Sequence, residues 1–113
     1  MPEKFNHFEQ RKGADEAGLS EVRILLKEYE NAGKIKWEET DREFVISFED
    51  RKRVLHVPKW GKIPLEEGRE FSGGSEEKIK HIVEALLENP EAGEKGKILE
   101  TIHEIENRKK NSQ

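Results

Sequence analysis

Apolar residues near the start of the chain recur every three or four positions, which places them along one face of a helix. They are Leu19, Val22, Leu25, Leu26 and Tyr29. The pattern predicts a helix over residues 14–32. Gly33 follows directly, and glycine readily adopts the left-handed conformation that commonly ends a helix.

Residues 34–57 change to an alternation of apolar and polar positions, which is typical of half-buried β-strands. We predict three strands, over residues 34–38, 43–48 and 53–57. Two short polar segments separate them, at residues 39–42 and 49–52. Connections of this length join neighbouring antiparallel strands, so the predicted arrangement is an antiparallel meander.

The segment from Pro58 to Gly74 shows neither period, and we predict a long irregular loop there. Helical spacing then returns, and it predicts one helix from Ser75 to Asn89 and a second over residues 94–108. Pro90 ends the first of these helices because the residue before a proline disfavours helical geometry. The inward positions are Ile79, Ile82, Val83, Leu86 and Leu87 in the first helix, and Ile98, Leu99, Ile102 and Ile105 in the second.

These elements predict an α+β domain with an N-terminal helix, a three-stranded antiparallel meander, a long loop and a C-terminal helical hairpin. The helices are expected to cover one face of the sheet, as a sheet of this size requires. We expect one domain over residues 14–108, an N-terminal arm or turn over residues 1–13 and a frayed tail over residues 109–113. The predicted core includes Leu25, Phe44, Ile46, Val83 and Leu86.

The composition narrows the chemistry that this domain can perform. The 113 residues include no cysteine, which excludes disulfides, thiolate metal sites and cysteine nucleophiles. Charged residues make up 41% of the chain, but the net charge is only −4 and the apolar positions are periodic, so we predict a folded chain. No apolar run reaches the ~20 residues of a membrane span, and the N-terminus carries no apolar signal segment. We therefore expect a cytoplasmic protein that does not contact a membrane.

No arrangement of residues in the sequence points to an enzyme. His81 with Glu84, and Glu100 with His103, are spaced to share a helix face, but glutamate is so frequent here that such pairs are expected by chance. The sequence contains neither a nucleophile elbow nor a glycine-rich nucleotide fingerprint. We expect no catalytic residue, no bound metal and no cofactor.

The loop is the strongest candidate for a binding site, because long irregular segments in compact domains often carry function. Its candidate residues are Lys59, Trp60, Lys62, Arg69, Ser72, Gly73, Gly74 and Ser75. The cations would attract a phosphate, and free amides at a helix start next to glycines would complete an anion cradle. The alternative is structural: the glycines turn the chain, the serine caps the helix and the tryptophan covers the sheet edge.

A helix, then Gly33, then a hairpin with Trp37 and Phe44-Val45-Ile46 resembles the recognition helix and wing of winged-helix DNA-binding domains. The resemblance covers residues 20–48 and implies nucleic-acid binding. Separately, a basic group follows the hairpin and would be available to contact phosphates. It consists of Arg51, Lys52, Arg53 and Lys59.

Three functions are compatible with these observations. The first is a small non-enzymatic binding or regulatory adaptor protein that acts on a protein partner, because the domain is well patterned and has no convergent catalytic set. The second is binding of a nucleotide or another phosphorylated ligand through residues 59–75. The third is nucleic-acid binding. The sequence leaves open whether the chain forms a homodimer.

Overall fold

A computed structural model describes residues 14–50, 52–72 and 77–111 of the chain. Within them the chain forms four helices and five strands. In order these are α1 (Glu16–Asn31), β1 (Ile35–Glu39), β2 (Glu43–Phe48), β3 (Val54–Pro58), β4 (Ile63–Glu66), β5 (Arg69–Phe71), α2 (Ile79–Glu88), α3 (Ala92–Lys95) and α4 (Ile98–Asn111). The predicted α+β class is confirmed. Residues 1–13 lie outside the described part of the chain.

Local hydrogen bonds and backbone geometry determine where helix α1 begins and ends. The Asp15 side chain accepts a hydrogen bond of 2.8 Å from the Gly18 N–H, which satisfies an amide that has no partner within the helix. At the other end Gly33 adopts the left-handed conformation with φ of 76°. The Lys34 N–H then donates back to the Tyr29 carbonyl at 3.1 Å, which closes the helix.

The predicted antiparallel meander is confirmed, with strand order β1-β2-β3. Trp37 pairs with Ile46, and Ile46 pairs with Leu55, so these three side chains share the face that packs on the helices. The opposite face carries Val45 and His56, which also pair. Within the described residues β1 and β3 are the two edges of this sheet.

The segment between Pro58 and Gly74 differs from the predicted irregular loop. It contains a second, two-stranded antiparallel sheet of β4 and β5, in which Ile63 pairs with Phe71. These strands have four and three residues, which is too short for an alternating pattern to stand out in sequence. Gly68, with φ of 82°, allows the turn between them.

The C-terminal helices follow the predicted hairpin with shifted limits. Helix α2 begins at Ile79, and the predicted start at Ser75 lies outside the described residues. Gly96 is left-handed, with φ of 64°, so it ends the short helix α3 and the long helix α4 begins afresh at Ile98. Helix α4 then continues to Asn111, beyond the predicted end at residue 108.

One apolar core joins the inner face of the three-stranded sheet, the β4–β5 hairpin and the helices. All of the predicted core residues are buried in it, namely Leu25, Phe44, Ile46, Val83 and Leu86. Among the helices that the structure describes, none combines the length and the apolar character that crossing a membrane requires.

Candidate functional site

A groove of about 530 Å³ runs beside strand β3. One wall consists of the consecutive residues 52–58, and the other comes from the start of β4 and the corner between α2 and α3. Successive residues of a strand point to opposite faces of its sheet. Because every residue of this run lines the groove, the groove follows the edge of β3 rather than one of its faces.

The pairing of β3 with β2 determines which backbone groups face the groove. At one end of the strand the Phe48 N–H donates to the Arg53 carbonyl at 3.2 Å, and at the other the Lys59 N–H donates to the Arg42 carbonyl at 2.8 Å. Alternate residues pair in this way in an antiparallel sheet. The odd-numbered residues of β3 therefore bond to β2, and the even-numbered residues direct their N–H and C=O groups outward.

Val54 and His56 are the even-numbered residues that present both a backbone donor and an acceptor at this edge. Pro58 presents only its carbonyl, because proline has no N–H, and an outward position at an edge is where a strand tolerates it. No other strand in the described ranges pairs with this side of β3. The groove is thus bordered by a short, open strand edge.

Apolar side chains form the floor of the groove. Ile63, Leu86 and Ile98 belong to the buried core and also line it, and Leu55 is half-buried beside them. Val54 stands at the rim and is 54% exposed. An extended ligand along β3 would therefore meet apolar surface beneath it and at one side.

The rim of the groove is basic. Lys52, Arg53 and Lys62 line it, whereas Glu94 is the one carboxylate among the described lining residues. Arg53 and Glu94 belong to opposite walls, and the Arg53 Nη2 lies 2.6 Å from the Glu94 Oε1. The Glu94 side chain remains 71% exposed, so this ion pair is solvated and contributes little to stability.

Lys59, the first residue of the predicted binding loop, points into the protein. It is odd-numbered like Val57, and its side chain lies on the same, core-facing side of the sheet. Its Nζ lies 2.6 Å from the Glu39 Oε2 and 5.3 Å from the centre of the Phe44 ring, and the residue is only 7% exposed. The ammonium group is thus already paired within the fold.

Glu39 also accepts hydrogen bonds from Arg23. Arg23, Glu39 and Lys59 thus form a network that links α1, β1 and the end of β3. The Arg23 Nε and Nη2 donate to the two carboxylate oxygens of Glu39, each at 2.8 Å. Hydrogen bonds from Arg23, and then from Lys59, lower the pKa of Glu39 to about 2, and the pairing raises the pKa of Arg23. A carboxylate held in this way is ionised at neutral pH and is poorly suited to act as a base.

Trp60 lies outside the groove and partly packs against the core. Its Nε1–H donates to the Asp41 carbonyl at 3.3 Å, which ties the chain after β3 to the turn between β1 and β2. An open depression of about 710 Å³ lies beside it, lined by Asp41, Arg42, Glu43 and Pro58. This geometry supports the structural interpretation of Trp60 more than the ligand-stacking one.

The other predicted loop residues lie apart from one another. Arg69 is on β5, where its guanidinium is 3.7 Å from a Glu66 oxygen and 3.6 Å from a Glu77 oxygen. Ser72 is half-buried just after β5. Gly73, Gly74 and Ser75 lie outside the described residues, as does Arg51.

The groove combines parts of both predicted binding sets. It brings Lys62, from the loop, together with Lys52 and Arg53, from the nucleic-acid set. Sequence reasoning missed the floor residues and Glu94, which is 41 positions from Arg53. No local signal relates residues so far apart. Among the described residues, no group of three or more histidine, aspartate or glutamate side chains could hold a metal ion.

Comparisons with protein-family models, with curated proteins and with solved structures found no match for this chain.

Trp60→Ala is expected to lower the free energy of unfolding by about 1–2 kcal/mol, because it removes a partly buried ring and the bond to Asp41. Lys62→Ala should leave stability nearly unchanged, since this side chain is exposed. Chemical denaturation measures both effects. Trp60→Phe retains most of the packing and should lose less. An unchanged denaturation midpoint for Trp60→Ala would instead favour a binding role for this residue.

Proposed function

We propose that this protein is a small non-enzymatic binding or regulatory adaptor protein that docks a segment of a protein partner in the β3 groove. The observation that carries the proposal is the open edge of β3 beside a groove with an apolar floor and a basic rim. Polypeptides are well suited to such a site, because their backbone can pair with a strand edge while their side chains enter adjacent pockets.

The proposal is favoured over a phosphorylated ligand because the loop cations do not converge. Phosphate recognition depends on several donors that reach one anion. Of the three loop cations, Lys59 is paired with Glu39 and Arg69 lies between two glutamates. Lys62 is the one loop cation that reaches the groove.

The proposal is also favoured over nucleic-acid binding. The described lining residues of the groove include no phenylalanine, tyrosine or tryptophan on which a base could stack, and the Nδ1 of the lining His56 lies 2.9 Å from the Glu43 Oε2. Arg23, a basic residue of the helix in the winged-helix-like segment, is held by Glu39.

Selection of a displayed library of random dodecapeptides tests the proposal. Peptides retained by the unmodified protein should bind at least about ten times more weakly to a Lys52→Glu/Lys62→Glu variant, because two attractive charges at the rim become repulsive. Both lysines are exposed, so the variant should fold normally. Fluorescence anisotropy with the recovered peptides gives the dissociation constants.

The matched control is Lys27→Glu/Lys110→Glu, which makes the same charge change at exposed positions outside the groove. This variant should bind the selected peptides like the unmodified protein. The proposal would be wrong if no peptide is retained, or if both variants weaken binding equally. A labelled oligonucleotide, tested at two salt concentrations, would reveal salt-dependent binding if nucleic acid were the true partner.

A further inference from the structure

We propose that the partner segment binds as an added β-strand that pairs with Val54 and His56, and that its own carboxylate replaces Glu94 on Arg53. This inference rests on the proposed function and specifies it: the ligand is an extended, acidic polypeptide segment. Two independent features support it. The first is that the backbone groups of Val54 and His56 point away from β2, and the second is the charge of the groove.

The edge provides a defined length of pairing. Val54 and His56 are two residues apart and each offers one donor and one acceptor, which is the repeat that an incoming strand matches. Pro58 cannot donate, so pairing through N–H groups stops there. The added strand would place alternate side chains over the floor formed by Leu55 and Leu86, and the intervening ones beside the exposed Val54.

The charge of the groove selects an acidic segment. Its described lining residues include the three cations Lys52, Arg53 and Lys62 against the single carboxylate of Glu94. The contact of 2.6 Å between Arg53 and Glu94 spans the groove. Glu94 therefore occupies, on Arg53, the place that a carboxylate of the partner would take. Because Glu94 is largely exposed, an incoming carboxylate can replace it at small cost.

The same charges disfavour a second copy of this chain at the edge. If β3 paired with the β3 strand of another copy, two edges that both carry Lys52 and Arg53 would meet. Neighbouring cations at a sheet edge discourage such pairing. An acidic segment avoids this repulsion and benefits from electrostatic steering toward the groove.

Glu94→Gln tests the charge exchange. Removing the internal competitor should strengthen binding of the acidic dodecapeptides recovered by display about three-fold or more, whereas Arg53→Gln should weaken it about ten-fold. Glu91→Gln, at the same helical corner but outside the groove lining, is the control and should have no effect. Weaker binding to Glu94→Gln, or enrichment of basic peptides in the selection, would overturn the acidic assignment.

Single N-methylation along one recovered peptide tests strand addition, because each methyl group removes one backbone donor. Binding should fall about ten-fold or more when an alternate, edge-facing amide is methylated, and should change little at the amides between. In the complex, amide hydrogen exchange should slow at Val54 and His56. Leu55 and Val57 serve as internal references, because they already bond to β2.

The possible outcomes separate this inference from the proposed function. Peptides that bind in a Lys52- and Lys62-dependent manner but tolerate every N-methyl group would retain the groove as a docking site and reject strand addition. Failure to recover any peptide would reject both. Concentration-dependent protection of Val54 and His56 in the protein alone would assign the edge to a second copy and overturn the inference.

Discussion

Replacement of Phe44 by alanine is expected to lower the free energy of unfolding by about 3–5 kcal/mol. Phe44 lies on the central strand β2 and is fully buried. Its ring centre is 6.3 Å from that of Trp37, and the Lys59 ammonium lies 5.3 Å from it. Alanine would leave a cavity at the centre of the core and remove both contacts. Urea or guanidinium denaturation at neutral pH measures the loss.

Val45→Ala is the matched control, because Val45 is the next residue on β2, points to the opposite face of the sheet and is only half-buried. Its expected cost is less than about 1 kcal/mol. Domains of this size are stable by only about 5–15 kcal/mol, so Phe44→Ala could unfold completely. Phe44→Leu keeps most of the volume and gives a measurable loss in the same direction. Equal midpoints for Phe44→Leu and the unmodified protein would contradict the placement of this ring in the core.

Glu39→Gln is expected to cost roughly 2–3 kcal/mol at neutral pH, because it leaves the ammonium of the buried Lys59 without its ionic partner. It also replaces the carboxylate that receives two hydrogen bonds from Arg23. Glu38→Gln is the control: Glu38 is the preceding residue of β1, is exposed and points to the other face of the sheet. Thermal unfolding of the two variants provides the comparison.

The cost of Glu39→Gln should depend on pH in a definite direction. The pKa of Glu39 is about 2 in the folded protein, below the ordinary glutamate value of about 4.3. A group with a lowered folded-state pKa stabilises the protein above the unfolded-state value and loses that contribution as the pH falls through the folded-state value. The difference between the unmodified protein and Glu39→Gln should therefore be full above pH ~5 and shrink toward pH ~2. A difference independent of pH would exclude the ionised carboxylate as its source.

The same network helps to shape the proposed docking groove. Lys59 follows Pro58, the last residue of β3, and its side chain is anchored on Glu39 while its backbone bonds to Arg42. These contacts hold the end of the open edge in place. Because neither Lys59 nor Glu39 lines the groove, Glu39→Gln should lower the affinity for peptides less than it lowers folding stability, when binding is measured under conditions in which the variant is folded.

Hydropathy alone identified the helix before the sheet, the three-stranded meander and the paired C-terminal helices, because these segments are long enough to display their period. The core positions followed from the same patterns, and Phe44 and Leu86 are buried as predicted. The β4–β5 hairpin was not predicted, because its strands are too short to display a period and Pro64 suggested a loop. Gly96 likewise divided the last helical segment in a way that the apolar spacing does not reveal.

What the sequence by itself determined is therefore the class of the fold and the inward face of each long element, since local periodicity dictates which side chains can be buried together. Only the tertiary structure decided the roles of the basic residues. Lys59 and Lys62 are three positions apart, yet the first is buried on Glu39 and the second lines the groove. The physical reason is that a groove, an open edge and an ion pair such as Arg53 with Glu94 depend on how distant elements pack, and local spacing does not encode that packing.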